Sequence, residues 1–81
     1  ITGKKRRSDG KWIMVTFDIP EIKRVFRDML RDALIDLGYQ KFQASVWVCP
    51  YETFQMTQEF IRTYGLDSFV KMFLIEEVEV S

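Results

Sequence analysis

The sequence predicts an α+β domain: an antiparallel sheet with two helices on one of its faces. Three observations carry that expectation. The first run, "WIMVTF", alternates as a strand, "YQKFQASVWVCP" is β-rich, and the C-terminal "SFVKMFLIEEVEV" is apolar on both faces before it alternates. Apolar residues recur at spacings of three and four from Ile22 to Leu37, and less evenly from Phe54 to Tyr64. Glycine and proline fall between these runs, so the element order is β-α-β-β-α-β, the ferredoxin-like arrangement.

The first strand covers 12–18, with Ile13, Val15 and Phe17 on one face and Trp12, Met14, Thr16 and Asp18 on the other. "DIPE" then starts the first helix. Asp18 suits a helix cap, Pro20 the first turn, and Glu21 stands three residues after Asp18 as in a capping box. The apolar stripe that follows is Ile22, Val25, Phe26, Met29, Leu30, Ala33, Leu34 and Leu37, ended by Gly38. "YQKFQASVWVCP" holds two short strands, 39–43 and 45–49, closed by Pro50. The second helix, about 51–64, uses Phe54, Met56, Phe60, Ile61 and Tyr64 and stops at Gly65. The last strand, about 68–80, is apolar on both faces in its first half and then alternates Val78 and Val80 with glutamates.

With helices over the Ile13, Val15, Phe17, Val46 and Val48 side, this reading turns Trp12, Met14, Trp47 and Cys49 to the opposite face. So large an apolar face calls for a cover. The simplest cover is a second copy, a homodimer whose interface contains Trp12, Met14 and Trp47.

Eighty-one residues make one domain. A chain of this size buries about 60–65% of its unfolded surface, so a partner would help it. At 47% hydrophobic and 30% charged residues it is an ordinary globular chain. The single Cys49 excludes an internal disulfide and fits a reducing, cytoplasmic setting. No apolar run is long enough to cross a membrane, and no signal peptide is evident. The first residue is Ile rather than Met, as expected of a fragment or a processed product.

The zero net charge conceals an asymmetry. Residues 1–11 hold Lys4, Lys5, Arg6, Arg7 and Lys11 against Asp9, whereas the remainder has seven basic and eleven acidic residues. Residues 1–10 are therefore a basic arm or linker ahead of an acidic body at 11–81. Such an arm can touch phosphates, and equally it can be a solvated terminus. Arg24, Arg27 and Arg31, on the solvent side of the first helix, could join it in contacting nucleic acid. Their interleaving with Asp28 and Asp32 also suits surface ion pairs. Tyr39, Phe42 and Tyr51 could stack on bases, or fill core.

Absences narrow the chemistry further. Without histidine there is no Ser-His-Asp or Cys-His arrangement and no imidazole metal ligand. Gly3, Gly10, Gly38 and Gly65 form no phosphate-cradling loop. One carboxylate at a strand end, Asp18, is the only credible reactive group. As a helix cap it would contribute about 1 kcal/mol without any catalysis, and capping is the commoner role.

"WIMVTFDIPE", the arginines of "RVFRDMLRDAL", "LGY" and "FQASVWVCPYE" resemble the Cas-two-like fold over about residues 11–80. That fold is shared by the CRISPR spacer-acquisition subunit and the central domain of PaaX-type transcriptional regulators. Asp18 and the Gln43, Ser45, Val46, Trp47 stretch are similar to both branches. The "FDIPE" to "LG" run and "WVCP" resemble the PaaX-type domain more closely. For the regulator branch, the resemblance implies a dimerisation domain of a nucleic-acid-associated protein that requires no cofactor. Its DNA-reading winged helix would lie elsewhere. For the CRISPR branch, it implies a Mg²⁺-dependent endonuclease or spacer-integration subunit partnered by the integrase, acting on DNA or RNA. Asp18 would then be the catalytic, metal-binding carboxylate, paired with its symmetry mate. Apart from Glu21, no second acid of such a cage is evident.

Overall fold

A computed structural model describes residues 4–76. Its elements are β1 (Trp12–Phe17), a 3₁₀ turn (Glu21–Lys23), α1 (Arg24–Leu37), β2 (Gln40–Gln43), β3 (Val46–Cys49), α2 (Phe54–Thr63) and β4 (Val70–Ile75). The four strands form one antiparallel sheet in the order β2-β3-β1-β4. This is the β-α-β-β-α-β arrangement expected. The part of the expected last strand from 77 to 80 lies outside the described residues.

Ile13, Val15 and Phe17 of β1 meet Leu30 and Leu34 of α1 and Ile61 of α2 in one core, so both helices lie on one face of the sheet. Both helices end as their glycines foretell. Gly38 takes φ +98°, its N–H donates to the Ile35 carbonyl at 3.0 Å, and the Tyr39 N–H donates to Leu34 at 2.9 Å. Gly65, at φ +65°, repeats the pattern, with its own N–H on Arg62 and the Leu66 N–H on Ile61. Each is a Schellman stop with a buried residue just beyond the glycine.

Two expectations are corrected by register and phase. Across β1 and β3, Val15 lies opposite Trp47, Ile13 opposite Cys49 and Met14 opposite Val48. Directly opposed residues share a face, so Trp47 and Cys49 point into the helix-covered core, not away from it. Trp47 is only 6% exposed, and its indole N–H finds no partner among the described residues. The helix-free face instead carries Trp12, Met14 and Thr16 from β1, Val46 and Val48 from β3, and Lys71, Phe73 and Ile75 from β4. "VWVC" is apolar at every position, so its alternation cannot fix which residues face the helices.

The second correction concerns the start of α1. The helix begins at Arg24, after the 3₁₀ turn, and neither start has a side-chain cap. Three residues per turn there, against 3.6 in the helix, break the phase of the stripe. Ile22 and Val25, assigned to the core by spacing, are 92% and 68% exposed. In α2, Met56 is likewise exposed, and Thr57 takes the buried position beside it.

Candidate functional site

The C-terminal end of β1 opens into a concavity of about 680 Å³. Phe17, Val46, Phe69 and Pro20 supply its apolar lining, and Asp18, Lys71, Thr16, Ser45 and Ser68 its polar groups. Backbone hydrogen bonds fix this end of the sheet. The Phe17 N–H donates to the Ser45 carbonyl at 3.2 Å, and the Asp18 N–H to Phe69 at 2.9 Å. Asp18 is therefore tied by its backbone just past the end of β1, and the N-cap position of the first turn falls on Pro20 instead. Pro20 stands between it and the helix with extended backbone (ψ 155°), and the first turn closes from the Lys23 N–H to the Pro20 carbonyl at 2.8 Å. The capping expectation for Asp18 is thus overturned. Its exposed carboxylate makes no hydrogen bond or ion pair among the described residues.

The proposed partner in the capping box, Glu21, serves the arginines. Its carboxylate accepts from Arg24 at 3.3 Å and from Arg27 at 3.2 Å, while Arg31 pairs with Asp28 at 3.8 Å. The three helix arginines are accordingly engaged on the helix surface. Glu21 does not line the concavity with Asp18. Among the described residues no group of three or more acidic or cysteine side chains could hold a metal ion. Among the described residues Asp18 is the only carboxylate that lines the concavity, so a single chain supplies one ligand there.

The basic arm lies at the other end of β1. The Arg7 N–H donates to the Pro50 carbonyl at 3.0 Å, the Glu52 N–H donates to Lys5 at 2.7 Å, and Arg6 bridges Tyr51. Six residues of strand span about 20 Å, so the arm and Asp18 do not form one site. Lys4 sits 5.8 Å from the Tyr51 ring centroid. Of the aromatics considered for base stacking, Tyr39 is buried in the core, Tyr51 is half-buried under Lys4, and Phe42 is exposed at the β2 bulge.

Cys49 is buried, with its sulfur accepting the Tyr51 N–H at 3.4 Å. Burial pushes its thiol pKa up, so it is held as the unreactive protonated form. Sequence reasoning named Ser45 only as part of the stretch that carries the resemblance, and did not single out Lys71 or Ser68. The signal for Lys71 was present: it is the one charge inside the apolar run of β4, directly opposite Thr16. No helix among the described residues is long and apolar enough to cross a membrane.

Fold and site together define an α+β domain of ferredoxin-like topology, with an aspartate just past the first strand and one sheet face bare of helices. The family model for the PaaX protein central Cas2-like domain matches residues 5–81, and the chain belongs to that family. The match takes in the arm from Lys5 onward. Neither the curated proteins nor the solved structures contain a match to the chain.

Proposed function

We propose that this chain is the dimerisation module of a cytoplasmic PaaX-like transcriptional regulator, a nucleic-acid-associated protein that needs no cofactor in this domain. The observation that carries the reading is the helix-free sheet face. Trp12, Met14, Val46, Phe73 and Ile75 remain partly open there, Phe73 at 42%, although they form one contiguous apolar surface across three strands. Charge on that face is sparse: among the described residues, Lys71 is the only ionic group that the register places there. A second copy related by a two-fold axis would cover it at little cost in buried charge. Sedimentation at micromolar concentration should give twice the 9.7 kDa chain mass. Met14→Glu should return it to the monomer with its helical circular dichroism intact. A parent chain that sediments as a monomer throughout would refute the reading.

One observation favours the rival, a Mg²⁺-dependent endonuclease or CRISPR spacer-integration subunit. Asp18, released from capping, lines a concavity with its carboxylate uncommitted. A second carboxylate would have to come from another protomer. Asp18→Asn and Asp18→Ala should each change stability by no more than about 0.5 kcal/mol, as for a surface residue without a structural bond. Incubation of DNA or RNA with Mg²⁺ should leave it uncut by parent and variants alike. EDTA-sensitive cleavage lost in Asp18→Asn would replace the regulator reading with the nuclease.

A further inference from the structure

Two acids lie beside the N-terminal arm, and Arg7 takes both. Its Nη2–H donates to Asp9 Oδ2 at 2.7 Å, its Nε–H to Asp9 Oδ1 at 3.1 Å, and its Nη1–H to Glu52 Oε1 at 3.1 Å. Asp9 Oδ1 also accepts the Lys11 N–H at 2.9 Å. The Arg7 side chain is only 12% exposed, so it faces the protein and not the solvent. With the backbone also tied to residues 50–52, the arm is held as part of the fold. The consequence is electrostatic. Lys4, Lys5, Arg6 and Lys11 are exposed, and among the described residues none enters an ion pair, because the neighbouring carboxylates are already neutralised.

We propose that this locked arm is a phosphate-contacting surface for duplex DNA, with Lys4, Lys5, Arg6 and Lys11 as the contacts and Arg7 as their positioning residue. The choice of polyanion rests on the regulator reading above, while the existence of the cationic surface does not. Cations carried on a backbone already tied to the fold need less ordering on binding than those of a solvated tail. A duplex presents one charge per about 1.7 Å of its axis, and contacts to it are sequence-independent and salt-sensitive. From residue 4 to residue 11 the arm has no apolar side chain to insert into lipid. Arg24, Arg27 and Arg31 are not counted among the contacts, since each already has a carboxylate within 4 Å on the helix surface.

The test is fluorescence anisotropy of the 81-residue chain with a labelled duplex of arbitrary sequence, across a KCl series, with circular dichroism to verify each variant's fold. The parent should bind with log Kd rising linearly with log salt. K4E/K5E/R6E should weaken binding about tenfold or more at low salt and flatten the slope by about two to three. R24Q/R27Q should change neither. D9N/E52Q separates positioning from charge, because it adds two net positive charges while releasing Arg7. A locked arm predicts no gain in affinity for it. Tighter binding by D9N/E52Q, no loss in the arm variant or an equal loss in the helix variant would overturn the proposal. So would a parent that binds phosphatidylserine vesicles and ignores the duplex. The oligomer reading fails separately: a monomer that binds DNA through the arm refutes dimerisation alone, and a dimer indifferent to DNA refutes the arm alone.

Discussion

Tyr39 follows the glycine that ends α1, and its hydroxyl is carried into the core. It lies 2.7 Å from Thr57 Oγ1, while the Thr57 hydroxyl donates to the Thr53 carbonyl at 2.8 Å. With that proton committed, the phenol must be the donor. Burial, the dominant cause, pushes its pKa up to about 12 from 10. A folded-state pKa above the unfolded one stabilises the fold fully below pH 10, and the benefit is lost as pH rises through about 12. Burial moves the Cys49 thiol in the same direction. Unfolding by denaturant should therefore show stability falling across the alkaline range. Tyr39→Phe should cost about 0.5–1.5 kcal/mol at neutral pH, for one buried hydrogen bond, and should remove the upper part of the alkaline loss. An unchanged alkaline profile in that variant would place the titration elsewhere. In the sequence Tyr39 is one of three aromatics that could stack or pack. Nothing in a single chain shows that Thr57, eighteen residues away, waits for its hydroxyl.

At the scale of elements, the ends of the helices were legible and the start of α1 was not. A glycine after an amphipathic run has one physical meaning, the left-handed residue that releases the last carbonyls. "DIPE", in contrast, offers Asp18 and Pro20 as alternative boundaries, and the choice depends on whether Asp18 stays tied to the sheet. Its N–H bond to Phe69, fifty-one residues on, decides that. The two glycines also differ in a way that only packing reveals. A Cβ on Gly38 would meet the Tyr51 ring at 2.7 and 2.9 Å, whereas one on Gly65 would meet nothing within 4 Å. Gly65→Ala should cost about 1–2 kcal/mol for the left-handed backbone alone. Gly38→Ala should cost more, and should disturb the arm as well, because Tyr51 bridges Arg6 and carries Lys4. Equal losses in thermal melts of the two variants would mean that the ring yields freely.

For the whole molecule, the fold class was readable because it rests on element order, and the faces of β3 were not, because a strand apolar at every position has no visible phase. The register moved Trp47 into the core and brought Val48 to the helix-free side, where Phe73 and Ile75 of β4 join Trp12 and Met14. The bare face thus survived the correction with different members. A chain this small has a thin margin of stability, and any association that covers the face must add to it by mass action. If the dimer forms, the melting temperature should rise steadily with protein concentration. Met14→Glu should abolish that rise while leaving the dilute-limit melting temperature close to the parent's, since Met14 is half-buried and outside the helix-side core. Val15→Glu, one residue away and fully buried, should unfold the chain at every concentration, because it places an unpaired charge under the helices. The neighbouring pair thereby separates the two faces of one strand. A melting temperature independent of concentration in the parent would leave the bare face without the partner proposed for it.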